Sequence, residues 1–267
     1  MSDKLRLDVL LVQRGLFDSR AQAAASVLAG DVLLLPDRRR VDKPGQMISE
    51  GAEIEVKRAP RYVSRGGIKL ANALEAFGLD VGGALALDVG ASTGGFTDCL
   101  LQHGAAHVVA LDVAYGELSW KLREDERVTV VERRNARSLE PDELPYAPAV
   151  IVIDVSFISL TMVLPAVLRC AAPRFDCLAM IKPQFEVGRG RIGKGGVVRD
   201  ASHRREALVS VGRAALALGA SVAGYASSGL PGPKGNRETF VWLVERARPG
   251  ALCDLVDLES AALGVEP

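Results

Sequence analysis

Four ionisable residues, Lys69, Asp154, Lys182 and Glu238, stand where chemistry is possible. Asp154 and Lys182 each end an apolar run that reads as a β-strand, over 150–153 and 176–181. Glu238 lies just before another strand, 239–244, and Lys69 precedes the first of the series. Open parallel sheets bind ligands beyond the carboxyl ends of their strands, so these side chains are candidates for orienting an acceptor and moving its proton. Any one of them alone reads more simply as a charge solvating a loop. A second motif, Asp88-Val89-Gly90-Ala91-Ser92-Thr93-Gly94-Gly95-Phe96, is a glycine-rich turn after the first strand. It lets a ligand approach the backbone at a helix N-terminus. An acid, Asp112, ends the next strand 22 residues after Gly90 and is placed to accept from ribose hydroxyls. Ser92 stands where the phosphate fingerprint GxGxxG has its second glycine. That disfavours a pyrophosphate ligand such as NAD and leaves room for a phosphate-free nucleoside such as S-adenosylmethionine.

The elements that must position these residues alternate between strand and helix from Gly82 onward, the pattern of a doubly wound α/β sheet. Strands are expected at 84–89, 107–111, 128–131, 150–153, 176–181, 221–227 and 239–244, and helices at 96–102, 160–170 and 202–218. The turn 230–236 is too short for a crossover helix, so the last two strands should be antiparallel neighbours. Ahead of this region a different pattern appears. A helix over 6–16 closed by Gly15, a second over 20–28 capped by Asp18 or Ser19 and ended by Gly30, and strands at 32–35 and 52–56 make a small α+β module.

Charge separates the two parts. Residues 1–70 carry 13 Lys/Arg against 9 Asp/Glu, a net of +4, and the rest carry 20 against 24, a net of −4. The basic side chains of the module, Arg6, Arg14, Arg20, Arg38, Arg39, Arg40 and Lys43, could form an RNA phosphate-binding face, although a solvated charged surface is the default reading. A glycine-rich basic loop, 188–199, carries Arg189, Arg191, Lys194 and Arg199 and reads as a mobile segment that orders on an anionic ligand. At 267 residues, 48% hydrophobic and 25% charged, the chain has the composition of a folded globular protein. Its four cysteines form no CxxC pair, and the chain offers no metal-ligand spacing. No zinc site or disulfide framework is therefore expected, and reduced cytosolic thiols are. No run reads as a signal peptide or a membrane span.

Longer motifs carry a resemblance to a known family. Residues 5–57 resemble the RNA-binding domain of ribosomal protein S-four. The segments Val63-Ser64-Arg65-Gly66-Gly67-Ile68-Lys69-Leu70, 88–97, Asp154-Val155-Ser156-Phe157-Ile158-Ser159, Ile181-Lys182-Pro183-Gln184-Phe185-Glu186 and Gly232-Pro233-Lys234-Gly235-Asn236-Arg237-Glu238 resemble the TlyA family. These are ribosomal RNA 2′-O-methyltransferases, also called haemolysins, with an FtsJ-type catalytic domain. The resemblance implies an RNA-binding domain at 1–57, a linker at 58–63 and a Rossmann-like methyltransferase domain at 64–267. It implies a Lys-Asp-Lys-Glu tetrad at Lys69, Asp154, Lys182 and Glu238, the four residues chosen above from strand ends. S-adenosylmethionine contacts would fall on Asp88, Gly90, Ser92, Gly94 and Asp112, with Asn135 near the adenine. RNA contacts would fall on Arg6, Arg14, Arg20, Lys43 and Arg65. The expected partner is ribosomal RNA or a ribosomal subunit, with cytidine the modified nucleotide, for a cytoplasmic monomer that needs no metal. In the linker, Tyr62 replaces a tryptophan that some members carry.

The implied reaction is an in-line displacement at a sulfonium methyl, so the protein has to align the donor, hold the acceptor hydroxyl and help its proton leave. Lys182 is the candidate for that proton. A nearby Lys69 favours its neutral amine and nearby carboxylates favour its ammonium; both roles, base and orienter, stay open at this stage. Three rivals remain: a non-catalytic RNA-binding protein on a methyltransferase fold, a membrane-lytic protein, and a nicotinamide oxidoreductase. The second would need a long apolar or strongly amphipathic segment, which the chain does not offer.

Overall fold

The computed structural model describes residues 4–17, 19–56, 61–246, 248–252 and 254–266. They fall into two compact units, 1–61 and 62–267.

The smaller unit runs β1 (Lys4–Arg6), α1 (Leu7–Gln13), α2 (Arg20–Ala29), β2 (Val32–Leu34), β3 (Arg39–Arg40), β4 (Met47–Ser49) and β5 (Ile54–Val56). β1 pairs antiparallel with β4, and β2 lies between β3 and β5 in a three-stranded sheet. The first helix is therefore shorter than its apolar pattern predicted. Arg6 leaves it because it pairs with Met47 in β1, and the helix stops at Gln13, ahead of Gly15. Gly30 at φ +80° ends α2 as expected; Asp18, one of its two cap candidates, lies outside the described residues. Leu7, Leu10, Leu11, Val27, Val32, Leu34 and Ile48 form the core.

The larger unit begins with α3 (Arg65–Phe77), which the strand-and-helix pattern did not anticipate. Ser64 caps its first turn by accepting from the Gly66 N–H, and Gly78 closes it in the left-handed region at φ +61°. Tyr62 and Val63, expected in a linker, are built into this unit. The Tyr62 ring is buried where a Cβ on Gly67 would sit, and the Val63 N–H donates to Asp98 at 2.9 Å. Residues 57–60 lie outside the described residues. Then follow β6 (Leu85–Val89), α4 (Gly95–Gln102), β7 (His107–Leu111), α5 (Trp120–Arg123), β8 (Val128–Val131), β9 (Val150–Ile153), α6 (Leu160–Arg169), β10 (Asp176–Ile181), α7 (Pro183–Glu186), α8 (Ala201–Ala217), β11 (Ala220–Ser227), β12 (Thr239–Glu245) and α9 (Leu255–Val265).

Seven strands form one sheet in the order β11-β12-β10-β9-β6-β7-β8. β8, β7, β6, β9 and β10 are parallel, and β12 inserts antiparallel between β10 and β11. Alternation along each strand feeds two cores. In β9, Ile151 and Ile153 face one with α6, α8 and α9, while Val150 and Val152 face the other with α3 and α4. The sheet is the doubly wound α/β architecture expected, with the last two strands antiparallel neighbours.

Candidate active site

Strand order brings the tetrad together. β6, β9 and β10 run parallel, so the residues following them collect at one edge, and the reversed β12 brings its amino end to that same edge. In the register, Ile181 pairs with Thr239. Lys182 follows Ile181 and Glu238 precedes Thr239, so residues far apart in the chain emerge side by side. Lys69 comes from the first turns of α3. The four side chains form two ion pairs. Lys182 Nζ lies 2.5 Å from Asp154 Oδ1, and the Lys69 ammonium meets the Glu238 carboxylate. Lys69 and Glu238 are both buried. Lys182 also donates to Ser156 Oγ at 2.9 Å, a partner that strand-end logic did not single out. Gly232 makes room for Glu238, because a Cβ there would lie 2.3 Å from Oε1.

Beside this cluster, a cavity of about 490 Å³ opens over the ends of β6, β7 and β9. Gly90 and Ser92 form one wall. A Cβ on Gly90, already at φ +86°, would lie 2.6 Å from the Asp154 carbonyl oxygen, so only glycine fits there. The half-buried Asp112 carboxylate accepts from the Ser92 N–H and the Ala114 N–H, each at 2.7 Å. Each oxygen has a second lone pair, leaving one acceptor apiece for a vicinal diol. Asn135 lines the cavity too, and its side-chain oxygen caps the following 3₁₀ turn through the Arg137 N–H at 3.0 Å. Leu111, Ala136, Ile158 and Val163 supply an apolar surface for a ring.

Two of the expected contacts sit elsewhere. Asp88 is fully buried beneath the loop, where its Oδ2 accepts from Thr97 Oγ1 at 2.6 Å, and it does not line this cavity. Burial pushes its carboxyl up to about 7, against the opposing Thr97 hydrogen bond and with a further push from Asp154. Gly94 faces away, into Leu122 and Leu118, where any Cβ would clash. Both residues shape the loop from below. The chain spacing that singled them out carries no information about which side of a turn faces solvent.

The cavity's charge fits the nucleoside inferred from the sequence. Its carboxylates are those of Asp112, Glu117 and Asp154, and the Arg134 guanidinium at its wall pairs with Glu143 and donates to Ser138, its Nε keeping no partner among the described residues. Glu117, which accepts from Ser92 Oγ at 3.2 Å, went unnoticed in the sequence for want of any strand-end or motif signal. Acidic walls repel phosphate and suit a cationic sulfonium or ammonium group. The Gly90 cradle and the free lone pairs of Asp112 meet the test for S-adenosylmethionine.

Two further cavities of about 450 Å³ each adjoin the tetrad. Lys69, Asp154, Ser156 and Lys182 line both, and Asp154 and Ser156 also line the cofactor cavity. Phe157 stands at the mouth, 92% exposed, at φ +65° and with its ring 5.3 Å from that of Phe185. A bulky residue held in that backbone region with its ring in solvent is costly for folding alone. It offers a stacking face to a planar group. Arg65 is exposed at the rim of one of these two cavities and donates to the Pro231 carbonyl at 3.1 Å.

The other expected RNA contacts lie on the smaller unit. Asp8, itself buried, binds the guanidinium of Arg6 at 2.9 Å and that of Arg20 at 3.0 Å, leaving both arginine side chains half exposed. These hydrogen bonds, Arg6's first, hold the Asp8 carboxyl well below the usual carboxylate range. Arg14 donates to the Ala52 and Glu50 carbonyls, and Lys43 is exposed. Arg38 and Arg40 are paired with Glu55 and Asp42.

With that geometry in view, similarity to known proteins is informative. The model of the FtsJ-like methyltransferase family matches residues 62–245. The 16S/23S rRNA (cytidine-2′-O)-methyltransferase TlyA of Mycobacterium tuberculosis is 49% identical over 247 residues, 91% of either chain. Hemolysin A of Brachyspira hyodysenteriae is 40% identical over 238 residues, covering 88% of this chain and 97% of its own. A solved structure bearing the hemolysin name, from Streptococcus thermophilus, superposes with a TM-score of 0.72 at 41% identity, over 99% of this chain and 96% of that one.

Proposed function

The chain belongs to the FtsJ-like methyltransferase family, and from that premise we propose that it transfers a methyl group to a ribose 2′-hydroxyl of ribosomal RNA, cytidine being the nucleotide its relatives' names point to. It is an S-adenosylmethionine-dependent enzyme; that cofactor, when bound, supplies a methyl group on a sulfonium, from which a neutral thioether departs. The observation that carries the reading is the junction at Asp154 and Ser156, where the cofactor cavity meets both acceptor cavities beside the two ion pairs.

Gly90, Ser92 and Asp112 would hold the nucleoside, with Asn135 beside its base. Lys182 handles the acceptor's proton. Asp154 and Ser156 occupy two of the directions around its nitrogen. In the amine form one hydrogen keeps Ser156, Asp154 stays beside the nitrogen as a carboxylate, and the lone pair takes the hydroxyl proton as the new O–CH₃ bond forms. Lys69, neutralised by Glu238, lines the other side of the acceptor space. Phe157 offers its ring to the target base.

The smaller unit serves as an RNA-binding domain of the ribosomal protein S-four type, which the Asp8-anchored Arg6 and Arg20 support. Ribosomal RNA as substrate puts this work in the cytoplasm. The haemolysin reading has no support in helix length, since no helix among the described residues is long and apolar enough to cross a membrane.

The deciding experiment treats unmodified ribosomal RNA with the purified chain and S-adenosylmethionine and maps ribose methylation by mass spectrometry. Methylation at a ribose 2′-oxygen is expected with the native chain. Lys182→Ala should slow transfer roughly 10²–10⁴-fold, and Lys182→Arg should fail as well because a guanidinium cannot give up its proton. Both variants should keep cofactor affinity, since Lys182 does not line that cavity. Methylation only at bases, or a native rate in Lys182→Ala, refutes the assignment.

A further inference from the structure

The glycine-rich basic loop was expected to order only on a ligand, but its second half is fastened by buried side chains. Asn236, 2% exposed, accepts from the Val198 N–H at 2.9 Å through Oδ1 and donates to the Gly196 carbonyl at 2.8 Å through Nδ2. Both ends of one buried amide are thus spent on two residues of the loop, and Val198 is itself 2% exposed. From the other side Arg204, also buried, donates to the Arg199 carbonyl at 2.7 Å and the Val198 carbonyl at 3.2 Å. Its remaining guanidinium edge is held by Glu266, 4% exposed, at 2.9–3.0 Å.

These contacts matter because of what the loop and the clamps adjoin. Ile192, Gly196 and Asn236 itself line the acceptor cavity that Lys182 and Lys69 also line. Asn236 belongs to the turn that carries Glu238, and its own carbonyl accepts from Gly232, the glycine against which Glu238 packs. Arg237, between them, reaches the same Glu266 carboxylate at 3.5 Å. Buried amides and ion pairs are costly to leave unmade, so a loop needed only as a connection would be closed more simply by apolar packing.

Resting on the methyltransferase reading, we propose that Asn236 and the Arg204–Glu266 pair are positioning residues for the acceptor. Together they set residues 192–199 as the preformed wall of the acceptor cavity and tie that wall to the turn bearing Glu238. None of the three lines the cofactor cavity. The effect should therefore appear on the transfer rate with saturating RNA and leave cofactor binding unchanged.

The test compares the full native chain with Asn236→Ala and Glu266→Gln. Amide exchange over 193–199, titration with S-adenosylmethionine and single-turnover methylation of unmodified ribosomal RNA are measured for each. Exchange in the loop should quicken roughly tenfold or more while the central strands stay protected. The single-turnover rate should fall on the order of 10- to 100-fold in Asn236→Ala, and less in Glu266→Gln, whose amide oxygen still accepts from Arg204. Cofactor affinity should not move. Faster exchange with an unaltered rate overturns the positioning role, and unaltered exchange in both variants overturns the clamps. Should Asn236→Ala fail to fold, Asn236→Asp, which keeps the acceptor for Val198 but turns an oxygen toward the Gly196 carbonyl, takes its place with the same expectations. A native chain that transfers no methyl group to RNA refutes the methyltransferase reading instead, and loop exchange still decides the clamps.

Discussion

Replacing Asp88 by asparagine should make this protein more stable as the pH rises. In the folded chain the Asp88 carboxyl is fully buried, and that burial raises it from 3.8 to about 7. The unfolded chain returns it to the ordinary value. Between those two pH values the folded state holds a proton that the unfolded state has released, so stability falls as pH increases. At about 1.4 kcal/mol for each tenfold in acidity, the loss amounts to about 4 kcal/mol and is complete just above pH 7. That is a large part of the roughly 5–15 kcal/mol typical of a domain. Asparagine has the same shape, cannot ionise, and keeps an oxygen for the Thr97 hydroxyl. Its amide hydrogens meet the side where Asp88 Oδ1 has no partner, a cost of roughly 1–3 kcal/mol that does not depend on pH. The diagnostic is therefore the slope. Urea unfolding of the native chain and of Asp88→Asn at intervals from pH 4 to pH 8 should show the difference moving by about 4 kcal/mol in the variant's favour. Carboxylates remote from Asp88 titrate alike in both chains and cancel. A difference that stays flat across that range would refute the buried-acid account. A large loss of cofactor affinity in Asp88→Asn would refute its placement beneath the binding loop.

Two further outcomes follow from the geometry. Asp112→Ala removes both ribose acceptors and should weaken S-adenosylmethionine by about 1.5–3 kcal/mol, or roughly 10- to 150-fold by titration, with Asp112→Asn intermediate because it keeps one acceptor. Charge reversal at Lys43 and Arg39, both exposed on the smaller unit, should weaken RNA binding and leave cofactor affinity intact. The dependence of RNA binding on salt should flatten by about one for each phosphate no longer neutralised; an unchanged salt slope would remove the smaller unit from the RNA interface.

Much of the larger unit was legible in the chain. Strands at 107–111, 128–131, 150–153 and 176–181 appear where β-branched and apolar runs placed them; the pattern is clearest at 150–153, where a strand buried on both faces carries apolar side chains at every position. The short turn at 230–236 likewise forced its flanking strands to be antiparallel. Helix α3 was missed although Ser64 and Gly78 mark its ends, because Gly66 and Gly67 in its first turn blur the pattern; the second of them is glycine to admit the Tyr62 ring. What no local signal carried was proximity. Three of the tetrad could be chosen from strand ends and Lys69 from its place ahead of them, but the pairing of Lys182 with Asp154 comes from β9 and β10 lying side by side, and Glu238 joins them because β12 runs backwards beside β10. The same strand reversal brings Asn236 to the glycine-rich loop. Nor could spacing separate Gly90, which faces the cofactor cavity, from Gly94 and Asp88, which face the core. Periodicity and turn chemistry act over a few residues and are written in the chain; which charges share a site, and which side of a loop meets solvent, is decided when the sheet closes and burial chooses between them.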